Sequence, residues 1–178
     1  GGTVNIAASE ITLSGLTSFS RWSADSSGVS AAITTLMQGF YDNVTNKLSM
    51  SDTVRAYLRN SFAPYAVVDS SIGIIDSLTF KSSYQFPNAA DGNYYIQLKH
   101  RNSLETWSKT QQQFTASALS YDFTTANTQA YGNNMINIDS SPMRYAVYNG
   151  DINSDGIVDL TDVIEIYNKA SSFTTGYE

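Results

Sequence analysis

The sequence contains no cysteine, so it can form no disulfide, no thiolate nucleophile and no zinc–sulfur site. It also lacks an apolar run of the length that a membrane-spanning helix needs. Charged side chains make up only 15% of the residues, and the net charge is −6. That acidic balance argues against a nucleic-acid partner, because phosphate binding requires a basic face. At 178 residues, the chain can still bury a sizeable core without disulfides.

The polar residues that are present are mostly uncharged. Ser, Thr, Asn and Gln supply most of the polarity, together with 12 Tyr. An uncharged polar surface with many strand-forming residues favours an extracellular or cell-surface β-protein over a cytosolic enzyme.

Short runs of alternating apolar and polar residues predict strands separated by turns, a pattern typical of a β-sandwich. The clearest runs are Phe80–Phe86 and Asn93–Arg101. The segment between them ends in Asp91-Gly92, a turn signal. We therefore predict that these two runs form a hairpin with one solvent-exposed face.

Other runs also predict strands. In Thr53–Asn60, we expect Val54, Ala56 and Leu58 to point inward. The apolar stretch Val29–Tyr41 changes parity between Ile33 and Leu36, which predicts a bulge or a twist between sheets. The remaining predicted strands are Gln113–Phe123, Asn133–Ile138 and Met143–Tyr148.

Three regions follow from these patterns. We predict an N-terminal arm over residues 1–28, a sandwich over 29–148 and a calcium loop with a short helix over 149–178. The arm either forms the first strand of its own sandwich or adds as a strand to the sheet edge of a neighbouring copy. The helix is predicted from apolar residues recurring at three- and four-residue spacing, namely Leu160, Val163, Ile164, Tyr167 and Ala170.

The segment Asp151–Asp162 has the spacing of a calcium-binding loop. Calcium takes six to eight oxygen ligands, and a twelve-residue loop supplies them from positions 1, 3, 5, 7, 9 and 12. Gly156 lies at position 6, where the chain must turn sharply. The predicted Ca²⁺ ligands are Asp151, Asn153, Asp155, the backbone carbonyl of Ile157, Asp159 and Asp162.

The run Gly150-Asp-Ile-Asn-Ser-Asp-Gly-Ile-Val-Asp-Leu-Thr-Asp162 resembles one repeat of a type I dockerin. That family has Asp at position 12 and lacks the entering helix of an ordinary EF-hand. Dockerins that bind cohesins carry two such repeats, whereas this sequence has one. Either a second repeat has been removed from this sequence or the single loop is structural, and we favour a loop that stabilises the fold over one that binds a cohesin.

A second resemblance covers Phe80 to Trp107. The run Phe-Pro-Asn-Ala-Ala-Asp-Gly-Asn-Tyr-Tyr-Ile is similar to a strand of transthyretin-like and carboxypeptidase-regulatory sandwiches. It also resembles the region that precedes dockerin-like repeats in some secreted bacterial proteins. This resemblance implies an all-β, immunoglobulin-like or prealbumin-like sandwich, and it implies no activity.

His100 is the only histidine, and its strand parity predicts a hydrogen-bonded side chain at the edge of the core. With no Cys and no second His, the sequence offers no nucleophilic triad or His-rich metal site. A carboxylate pair for glycoside hydrolysis stays open, although most acidic residues adjoin turn residues. We therefore predict no enzymatic activity.

Four aromatic residues could stack on sugar rings: Trp22, Trp107, Tyr57 and Tyr95. Together, these features predict a non-catalytic, extracellular, calcium-binding structural protein that associates with copies of itself as a surface or filament subunit. The alternative is a carbohydrate-binding or dockerin-like targeting module of a larger secreted enzyme, with a polysaccharide as a candidate partner.

Overall fold

The structure, a computed structural model, describes residues 3–7, 10–14 and 28–173. These residues form fourteen β-strands, the single α-helix α1 (Leu160–Ser171) and two 3₁₀ helices. The predicted all-β class is therefore confirmed. In chain order, β1 to β14 are Thr3–Ala7, Glu10–Ser14, Val29–Thr34, Tyr41–Asp42, Lys47–Leu48, Thr53–Asn60, Val67–Ile74, Lys81–Phe86, Gly92–Lys99, Thr106–Trp107, Gln112–Phe114, Ala118–Asp122, Ile136–Ser140 and Met143–Ala146.

Two sheets contribute to one buried core. The five-stranded sheet has the order β10-β9-β6-β7, with β11 also paired to β9. The three-stranded sheet has the order β12-β3-β8, in which β12 runs parallel to β3. The core includes large side chains from both sheets, such as Ile33, Leu58, Tyr84, Phe86 and Ile96.

Strand β6 shows how alternation in the sequence sets the two faces of the five-stranded sheet. Val54, Ala56 and Leu58 are buried, as predicted, while Arg55 is exposed and Tyr57 is half-buried on the opposite face. The predicted strand has the same bounds as β6. Its inward residues are apolar because that face packs on the core.

The predicted hairpin between Phe80–Phe86 and Asn93–Arg101 is wrong. Both runs are strands, but β8 pairs with β3 and β9 pairs with β6, so the connection crosses from one sheet to the other. The backbone N–H of Asn88 in this connection donates to Asp69 Oδ2 at 2.8 Å. A turn signal such as Asp91-Gly92 reverses the chain equally well within a sheet or between two sheets.

The predicted single strand Gln113–Phe123 is two strands in different sheets. β11 belongs to the five-stranded sheet and β12 to the three-stranded sheet. Between them, Ala116 and Ser117 have φ of +52° and +60°. Residues other than Gly, Asn and Asp seldom adopt this conformation, so the sequence carries no signal for the turn.

Strand β7 was not predicted. Its apolar residues Ile72 and Ile74 are exposed, whereas Gly73 is buried. A Cβ atom on Gly73 would lie 2.8 Å from the ring of Tyr84. This position on the inner face therefore has no room for a side chain beside that ring. This strand therefore reverses the usual pattern of apolar residues inside and polar residues outside.

The structure differs from the prediction for the N-terminal segment and agrees with the prediction for the C-terminal helix. Thr3–Ala7 and Glu10–Ser14 pair with each other as an antiparallel hairpin in a sheet of their own, instead of forming one extended arm. Residues 13–14 pair with residues 3–4. The predicted helix is confirmed as α1. Within the described ranges, no helix is both long and apolar enough to cross a membrane.

Candidate calcium site and aromatic face

The predicted calcium loop lies between β14 and α1, beside residues 99–105. Before the loop, the backbone N–H of Gly150 donates to the carbonyl of Asn102 at 2.7 Å. A cavity of about 480 Å³ separates Asp151 and Asp155 from Lys99 and Glu105. A strand precedes the loop, as the sequence predicted.

Two buried carboxylates occupy the first and last positions of the loop. Asp151 accepts hydrogen bonds from the backbone N–H groups of Asp155 and Gly156, both at 3.1 Å. Asp162 accepts from the N–H of Ile152 at 2.8 Å and from that of Asp159 at 2.9 Å. The two side chains thereby close the loop around its interior. Gly156 has φ of +89°, which the sharp turn at position 6 requires.

The remaining predicted ligands form a local network. Asn153 Oδ1 accepts from the N–H of Asp155, and Asn153 Nδ2 donates to Asp155 Oδ2, both at 2.9 Å. The N–H of Ile157 donates to Asp155 Oδ1 at 2.9 Å. Asp159 Oδ1 accepts from the N–H of Thr161 at 2.7 Å and so caps the start of α1.

The donor set suits a hard cation because it consists of carboxylate, amide and carbonyl oxygens. A carboxylate has about four lone-pair sites. Asp151 uses two of them for backbone N–H groups, which leaves others for a cation. In the described part of the chain, no three His, Asp or Glu side chains cluster tightly enough to hold a metal ion on their own. The calcium site therefore stays a prediction that also depends on Asn153 and on the carbonyl of Ile157.

The backbone N–H of Asp159 holds the pKa of the Asp162 carboxyl below its ordinary value. Burial raises this pKa, but the N–H groups of Ile152 and Asn153 lower it further. Asp162 is therefore ionised at neutral pH, which is the state a calcium ligand needs.

A second cluster lies at the edge of the core around Asp52. His100 is buried, and its Nε2 lies 3.2 Å from Asp52 Oδ2, which confirms the predicted hydrogen-bonded histidine. Arg101 donates to the same oxygen at 2.8 Å. Burial raises the pKa of Asp52, but Arg101, the N–H of Thr53 and His100 together bring it below its ordinary value.

Among the residues that the structure describes, no nucleophile is placed beside the Asp52 and His100 pair. His100 Nδ1 has no hydrogen-bond partner among the described residues, so no hydroxyl group is placed for proton transfer to it. The ring of His100 packs edge-on against Phe40 at 5.8 Å between centroids.

The predicted sugar-stacking residues meet on the outer face of the five-stranded sheet. The ring centroids of Tyr95 and Trp107 are 6.2 Å apart, and Tyr65 lies 5.7 Å from Tyr95. Tyr57 is on the same face, with the guanidinium of Arg59 5.6 Å from its ring centroid. Trp22 lies outside the described residues. The contributions of Arg59 and Tyr65 were missed, although Arg59 has the same strand parity as Tyr57.

Comparisons with protein-family models, with curated proteins and with solved structures found no match.

Proposed function

We propose that this chain is a non-catalytic, calcium-binding structural protein of the extracellular space or cell surface, and that it associates with copies of itself. The observation that carries the proposal is the loop 151–162. Its two buried carboxylates, Asp151 and Asp162, face the loop interior from opposite ends. Four Asp side chains within twelve residues repel one another unless a cation neutralises them.

Calcium would stabilise the fold by mass action, because a folded loop offers ligands that an unfolded chain does not preorganise. The loop lies beside residues 99–105 of the sandwich, so its stability is linked to that of the five-stranded sheet. The proposal also includes a specific fold. The two sheets form an immunoglobulin-like or prealbumin-like sandwich, and one dockerin-like repeat follows it.

Self-association is supported by helix α1, whose apolar face no other part of the described ranges covers. Leu160 is 69% exposed and Tyr167 is 70% exposed, and Val163 and Ile164 are also exposed. A contiguous exposed apolar surface marks an interaction site, and a twelve-residue helix is marginal without packing. The proposal assigns a second copy of the chain to this face.

Strand donation by the N-terminal segment is the second route to self-association. Because β1 and β2 pair with each other, donation to a neighbouring copy requires this hairpin to open. The exchange replaces one set of backbone hydrogen bonds with another, as strand addition to a sheet edge does.

Negative-stain microscopy and sedimentation velocity of the full chain, with calcium and with a chelator, test the proposal. We expect filaments or oligomers in calcium and a shift towards monomer in the chelator. Deleting Gly1–Ser14 should leave a folded monomer if the N-terminal segment links copies. A protein that stays monomeric at high concentration in calcium would contradict the proposed self-association.

A further inference from the structure

The outer face of the five-stranded sheet combines aromatic and basic residues in a regular arrangement. Arg55 on β6 lies directly opposite Lys99 on β9. Two residues further along the strands, Gln97 on β9 lies between Tyr57 on β6 and Trp107 on β10. Residues of one face are about 6.8 Å apart along a strand, so these rows follow one another at that spacing.

One end of this face is aromatic. Tyr65, Tyr95 and Trp107 line a cavity of about 310 Å³, and Tyr131, which is 70% exposed, stands at its rim. The guanidinium of Arg59 lies 5.3 Å from the centroid of the Trp107 ring. The Trp107 indole N–H donates to Glu105, which holds the ring in place. The rings are therefore preorganised to stack on a flat ligand.

The other end is basic. Arg55, Lys99 and Arg101 line a shallow pocket of about 300 Å³ together with Tyr57. Like charges directly opposite each other in a sheet are destabilising. Glu105 pairs with Lys99 and Asp52 with Arg101, but among the described residues no carboxylate forms an ion pair with Arg55. A chain with net charge −6 thus concentrates cations on one face without neutralising all of them.

We propose that this outer face binds an anionic polysaccharide, with sugar rings stacked on the aromatic end and acidic groups held by Arg55 and Lys99. Aromatic faces attract the C–H faces of sugar rings, and Arg pairs with carboxylate or sulfate by charge-assisted hydrogen bonds. Tyr95 and Lys99 lie two steps apart along β9, about 14 Å, so a ligand that reaches from the aromatic cavity to the basic pocket is an oligomer and not a single sugar.

This inference goes beyond the proposed structural role and does not depend on calcium. Single-stranded nucleic acid also combines stacking with cation contacts. The chain's net negative charge disfavours a polyphosphate ligand, whose binding is dominated by long-range attraction to a basic protein. A sugar chain fits a face on which Arg55, Lys99 and Arg101 lie at one end and a single cation, Arg59, lies among the aromatic rings.

Isothermal titration calorimetry of the full chain tests the inference with two anionic probes, a short oligogalacturonate and dextran sulfate. Their matched neutral probes are methyl-esterified oligogalacturonate and dextran. We expect at least one anionic probe to bind and its neutral counterpart to bind more than about tenfold more weakly, since charge-assisted hydrogen bonds are lost. The oligogalacturonate result and the dextran sulfate result together distinguish a carboxylate from a sulfate ligand.

Two variants and a matched control locate the site. Arg55→Gln and Tyr131→Ala should each weaken binding by about tenfold, because one removes a charge that no described carboxylate pairs with and the other removes an exposed ring. Lys81→Gln removes the same charge from an exposed residue of the other sheet and should leave binding unchanged.

Three results would overturn the inference. The first is that neither anionic probe binds the wild-type chain. The second is that Arg55→Gln and Lys81→Gln weaken binding equally, which would reduce the effect to overall charge. The third is that oligothymidylate binds more tightly than both sugar probes, which would assign the face to nucleic acid.

Discussion

Asp52 is buried at the core edge and is shared by two basic side chains, His100 and Arg101. Removing a buried carboxylate leaves its partners without compensation, which costs about 3–5 kcal/mol in a fully buried pair. Arg101 is partly exposed to solvent, and that exposure weakens its interaction with Asp52. We therefore expect Asp52→Ala to lower the free energy of unfolding by about 2 kcal/mol in urea denaturation. Glu165→Gln, at an exposed ion pair of α1, should change it by less than about 0.5 kcal/mol.

The pKa values of Asp52 and Asp162 are both lower in the folded protein than their ordinary value. Such groups contribute stability that is fully present above the unfolded pKa and is lost as the pH falls through the folded pKa. The urea midpoint should stay constant between pH 7 and about 5 and should fall below about pH 4. Arg101→Gln, which removes one cause of the Asp52 shift, should make this acid dependence shallower. A midpoint unchanged down to pH 3 would contradict this assignment.

At the same scale, strand parity was sufficient to place single side chains but not to bring them together. It predicted that Tyr57 and Tyr95 face outward and that His100 lies at the core edge. It did not predict that Tyr65, from the connection after β6, would complete the aromatic cluster. Residues in loops carry no periodicity, so their neighbours across the fold depend on chain reversals that the sequence does not specify.

At the scale of elements, valine is buried on β6 but exposed on α1. Val54 on β6 is buried in the core, whereas Val163 on α1 is 58% exposed. We expect Val54→Ala to cost about 2 kcal/mol in the free energy of unfolding, because it opens a cavity. Val163→Ala should cost less than about 0.5 kcal/mol in the monomer.

Sedimentation equilibrium of the same two variants distinguishes a residue that packs in the core from one that contacts a second copy. Val163→Ala should weaken self-association through α1, and Val54→Ala should leave it unchanged under conditions where both stay folded. If Val163→Ala destabilised the monomer as much as Val54→Ala, the helix face would be packed within its own chain and the proposed interface would be wrong.

Elements were predictable where one face is mostly apolar. β6, β8, β9 and α1 meet that condition, and the sequence located each of them. β7 does not, because Gly73 leaves space for Tyr84 while Ile72 and Ile74 point outward. Pairing between strands was less predictable than the strands themselves, because β8 and β9 are adjacent in sequence yet lie in different sheets.

At the scale of the whole molecule, charge is distributed unevenly. The chain carries ten Lys and Arg residues and sixteen Asp and Glu residues. Four of the acidic residues fall within the loop 151–162, while the basic side chains of Arg55, Arg59 and Lys99 lie on the outer face of the five-stranded sheet. Ser154 of the loop lines the same pocket as Arg55. The proposed cation site and the proposed anion-binding face are thus neighbours.

The cations that line this face predict an effect of salt on sugar binding. Binding of the anionic probe should weaken as sodium chloride rises from about 0.05 to 0.5 M, because the Debye length becomes shorter and the exposed charges are screened. Calorimetric titrations at several salt concentrations measure the effect. Binding of the same strength throughout that range would contradict an electrostatic contribution from Arg55 and Lys99.

The central claim is that residues 151–162 bind calcium, and calorimetric titration of the full chain with Ca²⁺ tests it most directly. We expect one Ca²⁺ per chain, weak binding of Mg²⁺, and loss of binding in Asp155→Ala, whose side chain lies at the exposed side of the loop. Thermal unfolding of the same samples should show a higher melting temperature in calcium than in a chelator. No heat of Ca²⁺ binding, together with a melting temperature that the chelator leaves unchanged, would contradict the claim.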